Sequence, residues 1–70
     1  MSKWGAVKAG HVLVALLRIG WHVAAEEGTH KRLERTGWTF YTFAFHAKEE
    51  IGPKMLARIA KKTGLRPRDL

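Results

Sequence analysis

Two glycines fix the character of the middle of this chain: the polar segment 30–35, held between Gly28 and Gly37, has room for a strand but little for a helix. On either side of that interval the apolar spacing is helical. Across residues 6–19, Ala9, Leu13 and Leu16 recur at helical spacing with Val12 and Leu17 beside them, while Lys8, His11 and Arg18 take the other side. Gly20 supplies a stop. A second stripe, Met55, Leu56, Ile59 and Ala60, follows Pro53, a residue suited to the first turn of a helix. It ends at Gly64, with Leu65 placed for the apolar contact that closes such a cap.

Three strands are expected between the helices. Residues 21–27 place Trp21, Val23 and Ala25 on one face and His22, Ala24 and Glu26 on the other. Residues 30–35 follow a turn at Gly28-Thr29. Thr36-Gly37 reads as a hairpin turn, and residues 38–45, rich in aromatics and threonine, are the strongest β segment. Tyr41, Phe43 and Phe45 are assigned to the core, and Trp38, Phe40, Thr42 and Ala44 to the opposite face. Residues 46–52 read as a polar loop and residues 66–70 as a tail whose Leu70 is placed to dock back. The expected fold is α+β in the order α-β-β-β-α: a three-stranded antiparallel sheet with both helices on one face, the other face open to solvent or a partner.

Seventy residues make one domain, 1–70, with a shallow site, because a chain this short buries only about 60% of its unfolded surface. The absence of cysteine excludes a disulfide scaffold, a zinc ribbon and a thiol nucleophile, agrees with a reducing cytoplasm, and leaves four histidines as the near-neutral bases. The longest apolar run, 11–17, is too short to span a bilayer and closes at Arg18, and no signal-peptide pattern precedes it, so the chain reads as soluble, with no membrane partner. Thirteen Lys and Arg against six Asp and Glu give a net charge of +7 and a pI near 10.4. A field of that sign attracts polyanions: RNA, DNA or an acidic protein. Lys54, Arg58, Lys61 and Lys62 fall on one arc of the second helix and make a basic strip.

The ordered set Gly28-Thr29-His30, a hairpin, Phe45-His46, Lys48-Glu49-Glu50-Ile51 and the run from Pro53 to Leu65 resembles the HicA family of toxin mRNA interferases. The resemblance covers nearly the whole chain, from the first helix and Ile19-Gly20-Trp21 to Asp69-Leu70. It implies a double-stranded-RNA-binding-domain-like fold, RNA cleavage carried by the histidine of a Gly-Ser/Thr-His motif, and a HicB-like antitoxin that covers the site. By position that histidine is His30. Glu26 and Glu27 stand where the family commonly carries basic residues, and they repel a phosphate backbone locally; Ala44 stands where it often carries proline.

The chemistry implied needs little machinery. RNA brings its own nucleophile, the 2′-OH, so alignment with the adjacent phosphorus and one imidazole acting as base or acid suffice, with no cofactor. A cation must stabilise the charge that builds on the phosphate, and Lys31, Arg32, Lys48 and Lys54 are the candidates. Arg58, Lys61 and Lys62 extend the RNA-binding set, and Thr29 and His46 are auxiliary candidates. If Thr36-Gly37 is a two-residue turn, His30 opposes Phe43 and His46 lies on the other face; a shift of one residue brings both histidines to one face.

Three other readings stand beside this one. A metal held by His30 and His46 with Glu26 and Glu27 matches no ligand spacing, so no metal site is assigned. The segment 56–65 resembles the first helix and turn of a helix-turn-helix module, but the sequence ends before a recognition helix. A non-catalytic RNA-binding module using the basic second helix is the stronger alternative. Trp38 and Phe40 either stack on unpaired bases or seal the second sheet face or a dimer interface, which leaves a homodimer open.

Overall fold

The computed structural model describes residues 4–70. The elements run β1 (Val7–Lys8), α1 (Ala9–Arg18), β2 (His22–Glu27), β3 (His30–Glu34), β4 (Tyr41–Ala44), β5 (Glu50–Ile51), α2 (Pro53–Thr63) and a 3-10 turn, Pro67–Asp69. Strands β2, β3 and β4 form an antiparallel sheet in that order. The expected α+β class, the two helices and the three-stranded antiparallel sheet are all present.

Both helices bury an apolar arc against one face of the sheet. Ala9, Val12, Ala15 and Leu16 of α1 and Leu56 and Ile59 of α2 join Trp21, Leu33, Phe43, Ile51 and Leu65 in one core. The arc of α1 is turned from the expected one: Ala15 is buried where Leu17 is 43% exposed. Helix α1 also starts at Ala9 rather than residue 6, because Val7 and Lys8 pair with Ile51 and Glu50 in a second, two-stranded ladder. The segment leading into β5 satisfies the helix start without a side-chain cap: the Ala9 and Gly10 N–H groups donate to the Glu49 and Ala47 carbonyls at 2.7 and 2.9 Å. Residues 46–52 are thus only partly a loop, and Ile51 is core.

The end of α2 is tied to the start of the sheet. Trp21 Nε1 donates to the Thr63 carbonyl at 3.0 Å, the Thr63 hydroxyl donates to the Ile59 carbonyl at 2.7 Å, and the Leu65 N–H donates to that hydroxyl at 3.3 Å. Thr63 is the one buried polar residue among those described, and these bonds leave it satisfied. Gly64 ends the helix at φ +77°, where a Cβ would lie 2.8 Å from the Trp38 ring. The Trp38 ring meets Trp21 edge to face at 5.9 Å. Leu70 packs against the core, as expected of the tail.

Candidate functional site

Gly28 and Thr29 are the two central residues of the β2–β3 hairpin, since Glu27 pairs with His30 across it. Gly28 has φ +59°, the left-handed conformation that such a turn requires at its first central position. The turn therefore delivers His30 as the first residue of β3. Thr29 is half-buried beside it.

Register decides what surrounds the histidine. On β4, His30 pairs with Ala44, Lys31 with Phe43, Arg32 with Thr42 and Leu33 with Tyr41. This is the shifted alternative, because the β3–β4 connection is longer than two residues: Trp38 N–H donates to the Arg35 carbonyl at 3.0 Å, and β4 begins only at Tyr41. Paired residues share a face, so His30, Arg32, Thr42 and Ala44 lie on the open face, and Lys31, Leu33, Tyr41 and Phe43 on the helix-covered one. His46 follows Ala44 by two positions, beyond the end of β4, and is exposed.

A bulge at Ala24 performs a second selection. Val23 pairs with Leu33 but Ala25 pairs with Arg32, so the strand gains one residue and its faces invert. Ala25 and Glu27 therefore turn to the open face, and Glu26 to the covered one, contrary to the simple alternation. Glu27 stands directly opposite His30, where Cβ atoms are ~4.5–5.5 Å apart. Glu26 instead forms an ion pair with Lys31 at 3.5 Å. A shallow cavity of about 210 Å³ results, lined by Ala25, Glu26, Glu27, His30, Arg32 and Thr42.

The candidate cations separate into groups. Arg32 lies on the histidine's face, pairs with Glu34 at 3.3 Å and stacks over the Phe40 ring at 5.5 Å. Lys31 points to the other face and is 22% exposed. Lys48 is exposed in the turn before β5, where its carbonyl accepts from Lys8 Nζ at 3.3 Å. Lys54, Arg58, Lys61 and Lys62 lie on the surface of α2. At 3.6 residues per turn their arc lies roughly 150° round the helix from Leu56, Ile59 and Thr63, so it faces away from the core. The strip and His30 therefore occupy different surfaces.

Charge divides in the same way. Residues 22–44 carry Lys31, Arg32 and Arg35 against Glu26, Glu27 and Glu34, and so balance. Residues 53–70 carry Lys54, Arg58, Lys61, Lys62, Arg66 and Arg68 against Asp69, which is five of the chain's seven net positive charges. Sequence reasoning missed Thr42 as part of the histidine's cavity and Arg32 as the group linking it to Phe40. The signal for both was the β3–β4 register.

No helix among the described residues is long and apolar enough to cross a membrane. Comparison with curated proteins and with solved structures found no match. A family model, that of the HicA toxin of bacterial toxin-antitoxin, matches residues 11–65, from α1 through Gly28-Thr29-His30 to the Gly64-Leu65 cap. The chain therefore belongs to the HicA toxin family, and membership in a toxin–antitoxin system implies an antitoxin as its partner.

Proposed function

We propose that this toxin is a metal-independent endoribonuclease that cleaves mRNA at His30 and is silenced by a HicB-like antitoxin covering the open sheet face. The observation that carries the reading is the exposed His30 within the matched segment, on one face with Arg32. His30 takes the proton from a ribose 2′-OH as that oxygen attacks the adjacent phosphorus. The P–O5′ bond breaks, water protonates the leaving oxygen, and the products are a 2′,3′-cyclic phosphate and a 5′-OH end. Arg32 neutralises charge on the non-bridging oxygens. Thr42 and Thr29 border the reacting group, and Lys48 and the α2 strip hold flanking phosphates. An mRNA substrate implies action in the cytoplasm.

The test is expression of the toxin with and without His30→Ala, followed by analysis of RNA ends from cleavage in a chelator. Growth arrest, cyclic phosphate ends and their loss in the variant are expected. Ends carrying a 3′-OH, or a His30→Ala chain that cleaves as the parent does, would overturn the mechanism. A second reading, a non-catalytic RNA-binding module, draws on the placement of the basic strip away from His30. It expects RNA affinity with no cleavage by either chain.

A further inference from the structure

At the end of the sheet away from the histidine's hairpin lies a second cleft of about 340 Å³ lined by His22, Glu34, Arg35, Thr36, Trp38 and Phe40. Its aromatics are unequal. Trp38 is fixed by Arg35 over its ring at 5.1 Å, by the edge contact with Trp21 and by the close approach to Gly64. Phe40 is 56% exposed, the most exposed large hydrophobic residue among those described, and its ring meets the Arg32 guanidinium. Arg32 lines the cavity that holds His30 and lies over the Phe40 ring, so one side chain links that cavity to a wall of the cleft.

The electrostatics point to an uncharged aromatic occupant. The guanidinium that lines this cleft, Arg35, already lies over the Trp38 ring, the Glu34 carboxylate stands 4.0 Å from His22 Nε2, and the sheet segment has no net charge. A phosphate would have to compete with these arrangements and with the Glu34 carboxylate. A nucleobase finds a ring to stack on, and groups at the cleft edge, Glu34 and His22, that hydrogen-bond to base edges.

We propose that Phe40 is the stacking platform for an unpaired nucleobase flanking the phosphate held at His30 and Arg32. The proposal rests on the RNA-cleavage reading for what occupies the neighbouring cavity, and it makes the substrate single-stranded at the site. Arg32 couples the two subsites, touching phosphate on one side and the platform on the other.

The test measures affinity in the full chain carrying His30→Ala, so that binding is read without cleavage. The probe is a short fluorescein-labelled single-stranded RNA of mixed sequence, with the same sequence as a duplex for comparison. Phe40→Ala is expected to weaken single-strand binding by about 10-fold, with the salt dependence unchanged, because a stack releases no counterions. Phe40→Tyr should restore the affinity, and duplex binding should not respond to either substitution. Equal single-strand binding by Phe40→Ala and the parent overturns the proposal, as does an equal loss on the duplex. If Phe40→Ala instead weakens antitoxin binding or dissociates a dimer while RNA binding stays intact, the face is a protein interface and the proposal fails. Failure of the catalytic reading is separate, since it appears as cleavage that survives His30→Ala.

Discussion

The open face of the sheet and the outer face of α2 divide between them what a nuclease needs in one place. The sheet carries His30, Arg32 and two clefts but no net charge; the helix carries the field but no group suited to proton transfer near neutral pH. Long-range attraction and local chemistry are different demands. A field acts over a Debye length of ~8 Å or more, so it need not touch the reacting phosphate. A base must lie within hydrogen-bond reach of the proton it takes. On the proposed nuclease reading the balance of charge around His30 has a use: α2 gathers the polyanion, and the site is reached by those parts of it that can present a base to the sheet.

The strongest way to break this division is His30→Ala, which should lower cleavage at least ~100-fold while changing RNA affinity little. A comparable fall in affinity would show that the two faces do not divide the work. Next in size is the fourfold replacement of Lys54, Arg58, Lys61 and Lys62 by Gln. It should flatten the plot of log affinity against log salt by ~0.7 for each single-strand phosphate that is no longer neutralised, leaving single-turnover cleavage at saturating RNA near the parent rate.

A smaller effect tests whether the faces are mechanically joined. Gly64 caps α2 in the left-handed region, and a Cβ there would meet Trp38, which lines the second cleft. Gly64→Ala should cost ~2 kcal/mol by denaturant unfolding and weaken single-strand binding through the displaced ring. If stability falls and RNA binding does not, the cleft is independent of the helix end. Smallest is a pH effect on the covered face. Burial raises the Tyr41 pKa above its ordinary 10.0, so the folded chain holds that proton more tightly than the unfolded one. Stability from this source is complete below the unfolded pKa and declines as pH rises through the folded one. Tyr41→Phe should remove that part of the alkaline decline in thermal melts.

What the sequence made legible follows from the range of the forces involved. The helices, the Gly28-Thr29 turn and the caps are local, and apolar spacing with glycine and proline shows them. The core face of β4 was legible for the same reason: Phe43 is buried and Phe40 exposed, as alternation requires. Three things were not local. The Ala24 bulge is invisible to a period-two pattern, yet it decides that Glu27 and not Glu26 opposes His30. The β3–β4 register depended on how many residues the turn at Gly37 uses, which the residue types alone left between two values. The β1–β5 pair is two residues long on each side, too short to carry a pattern. In the candidate site, His30 and the basic strip were readable as residues, but their separation onto two surfaces was not, because it depends on which side of the sheet the helices cover.

The β1–β5 ladder also sets an order of events. The hairpins that present His30 join near neighbours in sequence, and such pairings form in ~1–10 μs. The ladder joins Val7 to Ile51, and α2, with Leu56 and Ile59, follows it in the chain. The histidine's hairpin is therefore a local pairing, whereas the core that makes it firm closes only when the ladder joins the segments that precede α1 and α2.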